Sequence, residues 1–204
     1  MDQDFKHIYV PGDLHLPVLL LLHGTGGDEK DLVELGQSVA PGSSILSVRG
    51  KVLENGMPRF FRRLAEGVFD QEDLKFRTNE LADFVTKARL DHGLGDRPVI
   101  ALGYSNGANI AASVLLSRPD VLQGAILLRA MVPFEPESPP DLQGKRILML
   151  SGLMDPIIPA ENSNRLAGLL QDAGADVTFT LMPTAHGLVQ SDFSAMKSWM
   201  GGAE

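Results

Sequence analysis

The feature that most constrains this chain is a Gly-x-Ser-x-Gly pattern at residues 103–107, between a predicted strand and a predicted helix. An apolar run of strand character precedes it, and the small residues of a helix follow over 108–116. The arrangement predicts a nucleophile elbow, a sharp turn that lifts the Ser105 hydroxyl clear of the sheet. The helix N-terminus there offers free N–H groups and a positive dipole end to a developing anion. The pattern also occurs by chance in a chain with 21 glycines, but here the required strand and helix surround it.

The composition is that of one globular domain spanning residues 1–204, with 44% hydrophobic and 22% charged residues. A net charge of −8 argues against nucleic acid as a partner, and the lack of cysteine excludes disulfides and a thiol nucleophile. Residues 1–4 include two aspartates and no basic residue, which predicts no signal peptide, and the apolar run at 18–22 is too short to span a bilayer. We therefore expect a soluble, cytoplasmic protein that does not insert into a membrane.

Strands alternate with helices along the chain, which implies crossover connections and a mostly parallel sheet. Residues 49–72 are the exception, because they show no clean period. The predicted fold class is α/β, a three-layer α/β/α sandwich around a twisted sheet. The predicted strands are an edge strand at 5–10 and buried strands at 17–22, 44–48, 99–102, 124–128, 146–151 and 177–182. The predicted helices are 30–39, 73–92, 108–116, 162–173 and 190–200.

Three chemically suited side chains follow strands of this predicted sheet. Functional groups in such folds gather beyond the carboxyl ends of the parallel strands. Asp155 follows one strand and His186 follows another, which places both at the same edge as Ser105. Asp176 precedes a strand and therefore lies at the opposite edge, and Asp141 lies in a proline-rich loop. The rule selects Ser105, Asp155 and His186, in that order along the chain.

The chemistry of these groups suggests their roles. A serine hydroxyl is a poor nucleophile until a base takes its proton, which would be the role of His186. The same histidine would later act as the acid that protonates the leaving group. Asp155 would fix the imidazole tautomer and stabilise the imidazolium. The backbone N–H groups of Thr25 and Asn106 would form the oxyanion hole. Taken singly, His186 is equally explained as a loop histidine and Asp155 as a turn former, but three agreeing placements favour the triad.

Nearly the whole chain, from about residue 17 to 200, resembles the phospholipase/carboxylesterase family of α/β-hydrolases, which includes the acyl-protein thioesterases. The resemblance is carried by Leu-His-Gly-Thr-Gly-Gly-Asp at 22–28, Gly-Tyr-Ser-Asn-Gly at 103–107, Gly-Leu-Met-Asp-Pro at 152–156 and Ala-His-Gly at 185–187. Two further segments are similar to the small bacterial carboxylesterases of that family. These are Ser-Val-Arg-Gly-Lys-Val-Leu-Glu-Asn-Gly at 47–56 and Arg-Phe-Phe-Arg-Arg at 59–63.

The resemblance implies hydrolysis of an ester or thioester through an acyl-serine, without a cofactor, on a small-molecule substrate. A serine carboxylesterase is the leading hypothesis, and an acyl-thioesterase or lysophospholipase-like hydrolase on the same triad is the alternative. The thioesterase branch usually has Gln where this chain has Asn106, which weakens that alternative. A non-catalytic ligand-binding protein on the same fold is the alternative of another class. No metal or nucleotide motif is present, so neither ligand is expected.

The segment at residues 49–72 carries the basic cluster of this acidic chain, and its beginning should overhang the site because it follows a strand. One hypothesis is that an arginine here, Arg59 for example, recognises a carboxylate or phosphate on the substrate. The alternative is a solvated face in which the arginines pair with Glu66, Asp70, Glu72 and Asp73. The cluster consists of Arg49, Arg59, Arg62 and Arg63, with Phe60 and Phe61 between them as candidate pocket residues or core.

The loop at residues 129–144, with Met131 and Phe134, is a candidate wall of the acyl pocket. It is too short to form a helical lid. We therefore expect a compact α/β-hydrolase fold without a lid domain, an open site and a preference for short-chain esters. A homodimer is a further expectation that no motif supports directly.

Overall fold

The computed structural model describes residues 5–202 and contains a seven-stranded sheet with helices on both faces. Residues 1–4, on which the expectation of no signal peptide rests, lie outside the described residues, as do residues 203–204. The strands are β1 (His7–Val10), β2 (Val18–Leu22), β3 (Ser44–Val48), β4 (Val52–Glu54), β5 (Met57–Arg59), β6 (Arg63–Ala65), β7 (Val68–Phe69), β8 (Val99–Tyr104), β9 (Gly124–Leu128), β10 (Arg146–Gly152) and β11 (Asp176–Met182). The helices are α1 (Val33–Val39), α2 (Gln71–Asp91), α3 (Asn106–Ser117), α4 (Ala160–Asp172) and α5 (Gln190–Gly201).

The main sheet has the strand order β1-β3-β2-β8-β9-β10-β11. Every neighbouring pair is parallel except β1 and β3, which pair antiparallel at the edge. The mostly parallel sheet predicted from the alternation of strands and helices is therefore confirmed, including its edge strand. The parallel strands share one carboxyl edge, and residues that follow different strands can meet there.

Side chains of the central strands alternate between two apolar layers, which explains why these strands are apolar throughout. In β2, Leu20 packs on one face with residues of α2, α3 and α4, while Leu19 packs on the other with residues of α1 and α5. This is the predicted three-layer sandwich. Within residues 5–202, no helix combines the length and the apolar composition needed to cross a membrane.

The segment without a clean period forms two small antiparallel hairpins, β4–β5 and β6–β7, outside the main sheet. Both central residues of the first turn, Asn55 and Gly56, have positive φ angles of 51° and 80°. Asn-Gly between short strands is a strong hairpin signal, because both residues tolerate this conformation. The dipeptide was therefore the available sequence signal for a structure that the periodicity did not reveal.

Helix α1 begins at Val33, three residues later than predicted. The Asp28 side chain accepts a hydrogen bond from the Lys30 N–H at 2.8 Å, and the Asp31 side chain accepts one from the Asp28 N–H at 3.2 Å. These local side-chain bonds stabilise turns at the expense of helix, which delays the helix start.

Candidate active site

Ser105 occupies the turn between β8 and α3 in a strained conformation, with φ 51° and ψ −111°. Its N–H donates to the Leu128 carbonyl at 2.8 Å, and its carbonyl accepts from the Asn109 N–H at 2.9 Å. Positive φ is unfavourable for a residue with a side chain and persists where surrounding contacts determine it. Here the neighbouring strand and the first turn of the helix hold the serine in place.

Glycines on both sides of Ser105 allow strand and helix to approach closely. A Cβ atom at Gly107 would lie 2.0 Å from the Leu22 carbonyl oxygen, and one at Gly103 would lie 2.6 Å from the Gly107 carbonyl oxygen. Real Cβ atoms do not approach backbone this closely. The glycines of the motif are therefore required by packing.

Ser105, His186 and Asp155 form a continuous hydrogen-bonded chain. The distance from Ser105 Oγ to His186 Nε2 is 3.0 Å, and that from His186 Nδ1 to Asp155 Oδ2 is 2.7 Å. A carboxylate can only accept, so Nδ1 carries the proton and the lone pair of Nε2 faces the serine hydroxyl. This is the tautomer in which the imidazole can take a proton from the serine.

Backbone N–H groups and a tyrosine hydroxyl hold Asp155 and His186 in place. The second carboxylate oxygen of Asp155 accepts from the N–H groups of Ile157 and Ile158 at 2.8 and 3.1 Å. The Asp155 side chain is only 1% exposed, so these bonds replace hydration. The Tyr104 hydroxyl donates to the His186 carbonyl at 3.1 Å, and burial raises the pKa of this tyrosine. The tyrosine therefore stays a neutral donor over the working range of a protein.

The serine opens onto a cavity of about 260 Å³. Thr25 and Asn106 line this cavity beside Ser105. Asn106 is the first residue of α3, so the helix offers its N–H no internal acceptor. The cavity is lined by Thr25, Arg59, Arg63, Glu66, Gly67, Phe69, Tyr104, Ser105, Asn106, Asn109, Met131, Ile157, Ile158 and His186.

The candidate substrate-binding residues divide between this cavity and the core. Arg59 and Met131 line the cavity, as expected. Phe60 and Phe61 are 1% and 0% exposed and belong to the apolar layer beneath it, so their assignment as substrate contacts is corrected. The Phe61 ring packs edge-on against Phe69, with ring centroids 5.0 Å apart. Phe134 lines a different cavity, against the start of α2.

The ion pairs of the basic cluster match neither of the two hypotheses completely. Arg62, exposed, pairs with Asp70 at 3.0 Å, as the solvated-face alternative predicts. Arg49 instead pairs with Asp28 and Glu29 on the glycine loop. The remaining two arginines share Glu54, at Nη1–Oε2 3.5 Å for Arg59 and Nε–Oε1 3.0 Å for Arg63.

His23 is a buried structural residue of the glycine loop. Its Nε2 accepts from the Gly50 N–H at 3.0 Å, and its Nδ1 faces the Gly24 carbonyl at 2.6 Å. One nitrogen must accept and the other donate, so the ring is neutral. Burial lowers the pKa of His23, which favours this neutral form.

The side chains of two asparagines also hold the cavity wall, a role that the sequence did not indicate. The Phe60 N–H donates to Asn106 Oδ1 at 2.7 Å, and the Met131 N–H donates to Asn109 Oδ1 at 2.7 Å. Both side chains sit in the first turn of α3 and reach segments far away in sequence. Hydrophobic periodicity carries no information on such long-range polar contacts.

Nearly the whole chain is similar to known hydrolases and carboxylesterases. Residues 3–201 match the sequence model of the phospholipase/carboxylesterase family. MhqD of Bacillus subtilis (strain 168) is 48% identical over 194 residues, which span 95% of this chain and 96% of the relative. The crystal structure of a Bacillus cereus carboxylesterase is 47% identical with a TM-score of 0.96, over 98% of this chain and 95% of that one. YahD, solved with malic acid, is 33% identical with a TM-score of 0.93, over 98% and 100% of the two chains.

Proposed function

Because the chain belongs to the phospholipase/carboxylesterase family of α/β-hydrolases, we propose that it is a serine carboxylesterase that hydrolyses small, short-chain acyl esters. The observation that carries this proposal is the hydrogen-bonded chain from Ser105 through His186 to Asp155, with the serine facing a cavity. These groups are the nucleophile, base and orienting carboxylate of a serine hydrolase.

In the acylation step, His186 Nε2 takes the Ser105 hydroxyl proton as Oγ attacks the ester carbonyl carbon. The backbone N–H groups of Thr25 and Asn106 donate to the oxygen, which becomes negatively charged. The protonated His186 then gives its proton to the departing alcohol oxygen. The ester C–O bond breaks, and the acyl group remains on the serine.

In the deacylation step, a water molecule replaces the alcohol. His186 takes a proton from the water as its oxygen attacks the acyl carbon, and the same N–H groups hold the oxyanion. The proton returns to Ser105 Oγ as the carboxylic acid leaves. Asp155 stabilises the imidazolium in both steps. The atoms and protons balance within these side chains and water, so the reaction needs no cofactor.

The dimensions of the cavity support a small substrate. A volume of about 260 Å³ lies just below the usual range for ligand pockets, which favours a small substrate. A relative that is 33% identical was solved with malic acid, which is also a small molecule.

The direct test is labelling with a fluorophosphonate, which reacts with activated serines. We expect the intact mass of the protein to rise by one adduct and a Ser105→Ala variant to stay unlabelled. Hydrolysis of short p-nitrophenyl esters should fall by ~10⁵–10⁶ in Ser105→Ala or His186→Ala, as in other serine triads. A chain-length series, run beside matched acyl-thioesters, measures the proposed preference.

Three outcomes would contradict the proposal in different ways. A folded protein with an unreactive Ser105 would favour the non-catalytic ligand-binding alternative. Faster turnover of thioesters than of the matched oxygen esters would favour the thioesterase alternative. A rate that rises steadily to long acyl chains would overturn the short-chain preference while leaving the chemistry intact.

A further inference from the structure

Arg59 places a buried guanidinium on the wall of the same cavity as Ser105. The residue lies at the end of β5 and is only 3% exposed. A buried charge is unfavourable unless it is paired and hydrogen-bonded. The partners of Arg59 therefore indicate whether the protein itself neutralises the charge.

The protein satisfies this guanidinium only in part. Nη1 donates to the Thr25 hydroxyl at 2.6 Å, and Nε donates to the Phe61 carbonyl at 3.3 Å, both neutral acceptors. Within residues 5–202, Nη2 makes no hydrogen bond. Two N–H donors of a charged group are thus left for a ligand that enters the cavity.

The carboxylate that pairs with Arg59 is already engaged by a second arginine. Glu54 lies 3.5 Å from Nη1 of Arg59, but both of its oxygens accept from Nε of Arg63, at 3.0 and 3.1 Å. Glu66 also lines the cavity, but it is exposed on the turn of the β6–β7 hairpin, where solvent screens its charge. Burial and the charge of Arg63 lower the pKa of Arg59, against the opposing effect of Glu54. An arginine stays protonated nonetheless, so the cavity wall keeps an incompletely balanced positive charge.

We propose that Arg59 binds a carboxylate carried by the ester substrate, so that the preferred substrates are esters bearing one free carboxylate. The inference rests on the proposed esterase function and specifies its substrate class. A carboxylate oxygen can accept from Nη2, in a charge-assisted hydrogen bond that also supplies the counter-charge that Arg59 lacks. A dianionic phosphate fits less well, because Arg59 carries a single positive charge and Glu54 already lies 3.5 Å from its Nη1.

The test compares matched esters that differ only in the charge at one end. Monomethyl succinate and methyl levulinate carry a carboxylate or an acetyl group on the acyl side. The pair 4-acetoxybenzoate and 4-acetoxyacetophenone places the same difference on the alcohol side. Arg59 also contacts Thr25, so we expect its loss to slow the hydrolysis of every ester. This common effect cancels in the ratio of kcat/KM within each pair, and the ratio therefore reports the effect of the charge alone. The pair with the larger ratio shows on which side the carboxylate binds.

We expect the wild-type protein to prefer the carboxylate-bearing member of at least one pair. In Arg59→Met this preference should fall by ~10- to 100-fold, mainly through KM, the range expected for hydrogen bonds to a charged group. Arg62→Met is the matched control, because Arg62 belongs to the same cluster but is exposed and pairs with Asp70 outside the cavity. Its preference should stay at the wild-type value.

A second measurement keeps the inference testable if Arg59→Met does not fold. Succinate should inhibit the wild-type protein competitively, and Glu54→Gln, which removes the carboxylate beside Arg59, should lower its inhibition constant. Equal kcat/KM for both members of both pairs in the wild-type protein, or equal losses for both members in Arg59→Met, would overturn the carboxylate site. Hydrolysis of the neutral esters in the same assay would leave the esterase proposal standing. No turnover of any ester together with no fluorophosphonate labelling would instead overturn the proposed function.

Discussion

At the scale of single residues, Asp155 shows how the backbone selects the state of a side chain. One carboxylate oxygen faces His186 Nδ1, and the other accepts from two consecutive N–H groups, those of Ile157 and Ile158. Two fixed donors on one oxygen leave the carboxylate only one orientation. The direction of the imidazole proton therefore follows from a turn that is local in sequence.

This arrangement predicts the effect of Asp155→Asn. The amide oxygen should take the position that faces the two N–H groups, which directs the NH₂ group at His186 Nδ1. Nδ1 must then accept, so the imidazole proton is carried by Nε2. A protonated Nε2 has no lone pair with which to accept the proton of Ser105. We expect kcat to fall by ~10⁴ with little change in melting temperature, as for the corresponding change in serine proteases.

Steady-state kinetics on a p-nitrophenyl ester and a thermal melt check this prediction together. Asp176→Asn is the matched control, because Asp176 begins β11 at the opposite edge of the sheet and should not affect turnover. A variant Asp155→Asn that retains more than about a tenth of wild-type kcat would contradict the proposed tautomer control.

At the scale of elements, the strand β5 and the residue after it link both sides of the proposed oxyanion hole. The Pro58 carbonyl accepts from the Gly26 N–H at 2.9 Å, and Arg59 donates to the Thr25 hydroxyl. The next residue, Phe60, donates to the side chain of Asn106. Three consecutive residues thus hold the glycine loop and the start of α3 at a fixed separation, as a preorganised site requires.

A second connection between elements is the ion pair of Arg129 and Asp192, both fully buried. Arg129 follows β9 with a φ of 54° and donates to both oxygens of Asp192, at 3.0 and 2.7 Å. It also donates to the carbonyls of Leu150 in β10 and Gly187 beside His186. One side chain therefore ties two strands, the histidine loop and the first turn of α5 together.

Removing one partner of this pair should be strongly destabilising. Arg129→Met leaves the Asp192 carboxylate buried without its counter-charge, so we expect the free energy of unfolding to fall by ~3–5 kcal/mol. Arg118→Met is the control, because Arg118 pairs with the exposed Asp83 and its loss should change stability by ~0–1 kcal/mol. Urea unfolding measures both variants. Similar losses for the two would show that the buried pair contributes no more than a surface one.

At the scale of the whole molecule, the site lies at the centre of the sheet while its wall lies outside the sheet. Strand β8, which leads to Ser105, pairs with β2 on one side and β9 on the other. Arg59 and Arg63 belong to two-stranded hairpins that are not part of the main sheet. Two-stranded hairpins are only marginally stable by themselves. The proposed nucleophile thus follows a central strand of the main sheet, whereas the proposed substrate-binding wall belongs to two small hairpins outside it.

Native-state hydrogen exchange should reveal this difference in local stability. Amides of β2 and β8 should exchange only through global unfolding, whereas hydrogen-bonded amides of β4–β7 should exchange at least ~100-fold faster through local opening. Edge strand β1 should fall between these limits. Equal protection of the hairpins and β8 would mean that the cavity wall unfolds together with the sheet.

Much of the architecture was predictable because it depends on local patterns. Apolar runs such as residues 18–22 and 124–128 identify strands buried on both faces, and they lie where the structure has β2 and β9. The hairpins were missed because strands of two or three residues are too short to show a period. The start of α1 at Val33 was not predicted, because hydrogen bonds from side chains in a turn do not change the hydropathy pattern.

The sequence by itself determined the position of Ser105 at a strand-to-helix turn and the edge of the sheet at which Asp155 and His186 lie, because both follow from chain order and burial. Only the tertiary structure decided the 3.0 and 2.7 Å distances that join these side chains. Only it separated Arg59, in the cavity, from Phe60 and Phe61, in the core, although the three are consecutive. The physical reason is that local backbone preference selects elements, whereas partners and burial depend on contacts between segments far apart in sequence.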